Sequence, residues 1–359
     1  MKTILFKLTI ICLCFPILTF AESGKLGKHT KEKKIKKEFT VNADALLKIK
    51  NSYGNLYITS WEENRVVIEV HIKTNGNNEA KVQKKLDEID VEFKASNELV
   101  AAKTIFSKSK WGWNWGRKNN INIKVNYTIK LPATNSVNLS NDYGGIYLDE
   151  LKGKATIDCD YGKLEIGKLL SRGNVLKFDY TSKSTIDYVK GASIYADYSG
   201  YTIGKSENLI VNADYTKSRI NETGNIQYSC DYGSVVIDKV KNVQGKGSYG
   251  KIVLGKVNGN ISINSNFTAI NVKELSKDAG NVEIDSEYAG IKIAFAPDYN
   301  FNFEVKLDYA GFKSTDVTVE TKRIQNNQRY YSGYYGAENS KNNITIKSQY
   351  GGVSLKKVQ

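Results

Sequence analysis

The residues best placed to do chemistry are six Asp-Tyr pairs: Asp142-Tyr143, Asp160-Tyr161, Asp179-Tyr180, Asp197-Tyr198, Asp214-Tyr215 and Asp231-Tyr232. They follow one another at intervals of 18, 19, 18, 17 and 17 residues. Carboxylates in such a row admit two roles. Each can cap its own turn by accepting the backbone N–H two residues on. Stacked at strand spacing, they can instead hold cations, because like charges that close repel unless something neutralises them. The glycine-rich calcium nonapeptide pattern is missing, and Lys163, Lys177 and Lys217 stand near enough to offset the charge, so capping is the preferred role. Asp158 with Asp160 also has the paired-carboxylate form of a polysaccharide-cleaving enzyme. Outward strand carboxylates are more often solvated or capping.

A second candidate is Trp111-Gly-Trp113-Asn-Trp115-Gly-Arg117-Lys118, which holds three of the 4 Trp and is flanked by Lys108 and Lys110. Alternation puts the three rings on one face. They form either an exposed aromatic loop that stacks on sugar rings or lies at a lipid interface, or a hairpin that covers an end of the repeat. Both readings are open, with a slight preference for the cap. Enzyme machinery is otherwise missing. The two histidines, His29 and His71, stand apart, and no Cys/His/carboxylate cluster has metal spacing. Neither a Gly-x-Ser-x-Gly elbow nor a phosphate-binding Gly loop occurs. The chain is expected to be no enzyme and to carry no catalytic residue, cofactor or metal.

The Asp-Tyr pairs belong to a longer series. Variants follow at Ser248-Tyr249, Asn266-Phe267, Glu287-Tyr288 and Asp308-Tyr309, with a last copy at Gln349-Tyr350-Gly351-Gly352. A period near twenty signals a solenoid. Within a copy, Ala155, Ile157, Cys159 and Tyr161 share one parity, Gly162 breaks the register, and Leu164 and Ile166 resume it. Such alternation means half-buried strands. The Gly after the Tyr, as in Tyr161-Gly162, serves either a corner of positive φ or a close chain approach. Stacking would align the tyrosines as an aromatic ladder. Cys159 and Cys230 occupy the same inward position four units apart, roughly 19 Å at strand spacing. A disulfide needs Cα atoms within about 7 Å, so both are expected to be free, buried thiols.

The ends have their own character. Lys2, Lys7 and the apolar stretch Leu8 to Phe20, followed by Thr19-Phe20-Ala21, read as a signal peptide over residues 1–21. Leu13 before Cys14 argues against lipidation, and no later stretch is apolar and long enough to span a membrane. Residues 22–37 read as a basic, disordered linker, since Lys25 to Lys37 carries seven Lys against Glu32. It could also touch an anionic surface. Nucleic acid is not expected as a partner of an exported chain, whatever the net charge of +14. Residues 38–140 read as a β-rich capping region with one short helix at Ala80 to Ile89. Residues 141–359 read as the repeat, interrupted by a loop insertion at about 322–342.

The N-terminal order is a Tyr-Gly-Asn-Leu-x-Ile-x-x-Trp segment (Tyr53 to Trp61), an alternating strand, a short helix and a Tyr-x-Ile-x-Leu-Pro strand (Tyr127 to Pro132). Tyr-Gly-Gly-Ile repeats follow. This series resembles the putative-adhesin family of exported bacterial β-repeat domains over most of residues 38–357. The resemblance implies a surface-adhesive role and supplies no catalytic residues. The expectation is an all-β protein, a β-solenoid of stacked two-strand units of about 18 residues, exported to the periplasm, the outer surface or the medium. Its expected function is that of a non-catalytic adhesin-like or scaffold protein whose partner is an envelope or extracellular glycan or protein. The alternative is a periplasmic binding or sensing module that uses the Trp loop.

Overall fold

A computed structural model describes residues 27–107 and 121–358. The signal peptide expected at 1–21 lies outside the described residues, as do Trp111, Trp113, Trp115 and Arg117. The fold is all-β, with one helix among the described residues, and its strands join into one open sheet. Chain order begins with β1 (His29–Thr40), β2 (Leu46–Ser52), β3 (Leu56–Trp61), β4 (Arg65–Gly76), α1 (Glu79–Asp87), β5 (Ile89–Ala95), β6 (Leu99–Phe106) and β7 (Asn122–Pro132). Next come β8 (Ser136–Asp142), β9 (Ile146–Leu151), β10 (Ala155–Asp160), β11 (Leu164–Leu169), β12 (Asn174–Asp179), β13 (Ser184–Tyr195), β14 (Gly200–Asn212), β15 (Lys217–Ser229) and β16 (Ser234–Ser248). The chain continues through β17 (Lys251–Val257), β18 (Ile261–Asn266), β19 (Ala269–Leu275), β20 (Val282–Glu287), β21 (Ile291–Phe295), β22 (Phe301–Asp308) and β23 (Phe312–Lys313). It closes with β24 (Thr318–Gln325), β25 (Gln328–Tyr335), β26 (Asn343–Gln349) and β27 (Val353–Lys357).

Pairing follows two parallel ladders. The first joins the strands that lead into each Asp-Tyr pair: β8 to β10, β10 to β12, and onward with Asp142, Asp160 and Asp179 in register. The second joins the strands that follow each pair, such as β9 to β11 and β11 to β13. Strands β13 to β16 are long enough to serve both ladders. Alternation then does what period two requires: one parity of each strand faces the other ladder. Ile157 and Cys159 on β10 meet Leu164 and Ile166 on β11 in a continuous core that runs from Val41 to Leu355. No single unit could bury these side chains alone, so stacking itself makes the core.

The N-terminal region departs from expectation in one respect. The basic stretch expected as a disordered linker is largely strand: β1 pairs antiparallel with β4 from His29↔Gly76 to Thr40↔Arg65. Part of the charge is neutralised locally. Lys31 pairs with Glu79 at 2.7 Å, Lys33 with Asp90 at 3.2 Å and Lys36 with Glu69 at 2.8 Å. A Lys-rich outermost strand also discourages edge-to-edge aggregation. The short helix lies against β4 and β1, with Val82 and Leu86 buried, and its N-cap Asn78 accepts from the Lys81 N–H. Strands β2 and β3 are already a repeat unit, since β2 pairs with β8 and β3 with β9.

The C-terminal end departs more. The segment 322–342, expected as a loop, contains much of an antiparallel hairpin: β24 pairs with β25, and β25 pairs with β22. The last repeat copy does not close the stack. Strand β26 lies between β20 and β22, and β27 between β21 and β23. The chain thus leaves a slot after β21, builds β22 to β25 beyond it, and returns to fill the slot.

Candidate functional site

Each unit turns at its tyrosine. Tyr143, Tyr161, Tyr180, Tyr198, Tyr215 and Tyr232 have φ between 51° and 57°. Tyr53, Tyr249, Phe267, Tyr288, Tyr309 and Tyr350 share the conformation, with φ from 50° to 65°. The left-handed corner therefore sits on the aromatic residue, not on the glycine behind it. A bulky residue there costs about 1–2 kcal/mol, and the stack holds it in place. The Tyr161 N–H donates to the Asp179 carbonyl at 3.1 Å, and the Tyr198 N–H to the Asp214 carbonyl at 3.1 Å. Where glycine follows, it allows close approach: a Cβ on Gly162 would lie 2.0 Å from the Gly144 carbonyl oxygen, whereas Thr181, Ser199 and Thr216 hold the same position in other units.

These corners project an aromatic ribbon. From Tyr53 through Tyr143, Tyr161, Tyr180, Tyr198, Tyr215, Tyr232, Tyr249, Phe267, Tyr288 and Tyr350 to Tyr309, consecutive rings stack with centroids 4.6–5.4 Å apart and planes within 11°. Phe106 closes one end with its ring edge on Tyr53 at 5.9 Å. The ribbon spans roughly 53 Å at strand spacing. Every ring remains about half exposed, from 37% at Tyr53 to 55% at Tyr143 and Tyr309. Because the ring faces lie on one another, solvent meets ring edges and phenol hydroxyls. The ribbon offers a periodic row of hydroxyls, not a platform for stacking.

Asp142, Asp160, Asp179, Asp197, Asp214 and Asp231 run beside the ribbon. Their capping differs from the local turn expected. Asp179 Oδ1 accepts the Asp197 backbone N–H at 3.0 Å, Asp197 Oδ1 that of Asp214 at 3.1 Å, and Asp214 Oδ1 that of Asp231 at 2.8 Å. Asp160 and Asp231 do the same toward Asp179 and Ser248 at 3.4 and 2.7 Å. The acceptor thus serves the next unit, which ties the stack along its length. Among the described residues, no group of three or more His, Cys, Asp or Glu is arranged to hold a metal ion. Asp158, on the same outer face as Asp160, is held above the ordinary aspartate range by partial burial, with Lys177 opposing.

A second ladder escaped the sequence reading. Asn225 Nδ2 donates to Asn208 Oδ1, and Asn242 Nδ2 to Asn225 Oδ1, each at 2.8 Å. Further on, Asn242, Asn260 and Asn281 accept the backbone N–H of Asn260, Asn281 and Asn343 at 2.8–2.9 Å. The signal was present: an Asn stands seven residues before each of Tyr215, Tyr232, Tyr249, Phe267, Tyr288, Tyr309 and Tyr350. Cys159 and Cys230 are unpaired and buried in the same inward row, as their parity requires. Burial, with nearby aspartates, pushes their thiols up to about 12 and about 11. Such thiols are inert rather than nucleophilic. The two histidines are engaged in β1 and β4, where His71 Nε2 lies 3.0 Å from Glu32.

No family model matches the chain, and no curated protein matches it. Among solved structures it is similar to a putative adhesin from Parabacteroides merdae, at 10% identity and a TM-score of 0.35, over 91% of this chain and 97% of that one. It is also similar to a putative adhesin from Parabacteroides distasonis, at 11% identity, a TM-score of 0.29 and the same coverage of each chain. A third is a putative cell adhesion protein from Clostridium sporogenes, at 13% identity and a TM-score of 0.20, over 91% of this chain and all of that one.

Proposed function

We propose that the chain is a non-catalytic, exported adhesin-like or scaffold protein, a β-solenoid that holds a long, regular contact surface outside the cytoplasm. Its partner in this reading is an envelope or extracellular glycan or protein. The observation that carries the reading is the half-exposed ribbon of twelve aromatic rings bordered by carboxylates. The rings stand outward at every unit, and exposed aromatic area of this extent marks a contact surface. Concavities among the described residues, such as those lined by Asn225 and Gln227 or by Arg323 and Tyr330, are open grooves, which suits a surface that meets a large partner. No described helix is long and apolar enough to cross a membrane.

Two measurements test the reading. Beads coated with the chain should retain bacterial envelope fragments, and Tyr161→Ser, Tyr198→Ser and Tyr232→Ser together should lower retention several-fold with the circular dichroism spectrum unchanged. Equal retention by both proteins would remove the ribbon as the contact surface. Protease digestion of the tagged protein on intact cells would place the repeats outside. Protection until the outer membrane is permeabilised would make it an internal envelope scaffold.

A further inference from the structure

We infer that the outer face of the first ladder carries a binding groove for a neutral, linear polysaccharide. This deepens the adhesion reading, on which it rests, by naming a ligand class for a surface distinct from the ribbon. The groove runs across the strands from Val175 on β12 to Ser262 on β18 and encloses about 590 Å³. Six strands at about 4.8 Å give it a length of roughly 24 Å, room for several sugar units in line.

Its chemistry is unusual for this chain. One wall is the asparagine ladder of Asn208, Asn225 and Asn242, and the other is Ile210, Gln227 and Gln244. Arg172, at one end, is the single ionisable residue in the lining, although 25% of the whole sequence is charged. The outer face of the second ladder, in the same units, is the reverse. There Lys205 pairs with Glu222 at 2.7 Å, Arg219 with Asp238 at 2.7 Å and Lys256 with Glu274 at 3.1 Å. A neutral groove beside a charged face disfavours polyanions and polycations alike, since a charged ligand would be desolvated there without a counter-charge.

Amides suit hydroxyls. Each carboxamide has two N–H donors and a carbonyl acceptor, and the ladder bonds of Asn225 and Asn242 use one N–H apiece. The other can donate to a sugar hydroxyl, and the exposed Gln227 and Gln244 can donate and accept across from it. The apolar element is also on this face. Ile210 is 49% exposed inside the groove and Tyr195 is 44% exposed beside it. Tyr195 is flanked on adjacent strands by Lys177 and Asn212 rather than by rings. Its face is therefore not covered by another aromatic, unlike those of the ribbon, and can pack against a sugar ring. A few directed polar groups around apolar surface are what a pocket for an uncharged hydroxylated ligand requires.

Calorimetric titration of the mature chain with neutral β-linked hexasaccharides of glucose, mannose and N-acetylglucosamine tests this. At least one is expected to bind at least ten-fold tighter than its trisaccharide. Gln227→Ala with Gln244→Ala should weaken it at least ten-fold, and Ile210→Trp, at an exposed position, should block the groove without disturbing the core. Silence from all three hexasaccharides, preference for polygalacturonate or chitosan oligomers, or undiminished binding by both variants would overturn the inference. If no neutral oligosaccharide binds while coated beads still retain envelope fragments, the groove falls and the adhesion reading stands. Oligosaccharide binding without retention would keep the groove and remove the adhesion reading.

Discussion

Tyr288 stacks on Tyr350, not on Tyr309, the next aromatic of the repeat along the chain: their centroids are 4.9 Å apart and their planes within 8°. Tyr309 then lies on the far side of Tyr350, also at 4.9 Å. The ribbon is continuous only because the last unit returns into the slot between two units made earlier.

That unit should be essential to the C-terminal end. Ile344, Ile346 and Val353 are buried between neighbours on both sides, and Leu355 is buried beside Ile293. Four such side chains contribute about 6–12 kcal/mol of burial. Ending the chain at residue 342 is expected to melt the segment after β21, seen as rapid amide exchange there. Ile346→Ala alone should cost about 2–5 kcal/mol in urea unfolding. A truncated chain with native exchange in β22 would show that the slot needs no filling.

Substitutions at one corner should separate ring stacking from backbone strain. Tyr198→Phe keeps both ring contacts and should leave stability within about 0.5 kcal/mol, as Phe267 does naturally in its own unit. Tyr198→Ala removes two stacks, about 0.5–1.5 kcal/mol each, and keeps the positive φ. Tyr198→Gly loses the same contacts but relieves the left-handed strain, so it should be less damaging than alanine. Urea midpoints in the order Tyr, Phe, Gly, Ala support this account. Alanine above glycine would contradict it.

The aspartate row should respond to acceptor chemistry. Asp197→Asn keeps an oxygen for the Asp214 N–H and is expected to be neutral or stabilising, because it also removes one charge from the row. Asp197→Ala leaves that donor without its partner and should cost about 1 kcal/mol. Equal unfolding curves for both variants would mean that the inter-unit bond contributes nothing.

Asp158 gives a pH dependence of definite sign. Its folded-state pKa is raised, so the native chain binds its proton more readily than the unfolded chain. Its contribution therefore makes stability fall as pH rises through the window above the ordinary aspartate value. Asp158→Asn should raise the urea midpoint at pH 7 and leave it nearly unchanged at pH 3. A lower midpoint at pH 7 would show that its attraction to Lys177 outweighs partial burial.

The thiols offer a direct check. Cys159 and Cys230, held up at about 12 and about 11 inside the core, should ignore a thiol reagent at pH 8 in the native chain. Both should react after unfolding in denaturant without reductant. Fewer than two reactive thiols under those conditions would mean that the cysteines are oxidised.

Much of this protein can be read from its residues, because a repeat writes the same local physics many times. Alternation around Ile157 and Cys159 determined which faces are buried, and the even spacing of the Asp-Tyr pairs put their rings in one row. Identical units can stack in register only if equivalent side chains lie above one another. Other features depend on contacts between units, to which a single unit is blind. Tyrosine takes the positive φ because the neighbouring unit receives its N–H and its ring. Aspartate caps the next unit rather than its own turn because the parallel ladder brings that N–H closer. Lys25 to Lys37 has the composition of a solvated run, yet most of it is strand because β4, Glu79, Asp90 and Glu69 stand where its backbone and charges need partners. The order of the last units was beyond the sequence altogether: every copy fits every slot by pattern, and only the hairpin β24–β25 on β22 left the slot beside β20 for Gln349-Tyr350 to fill.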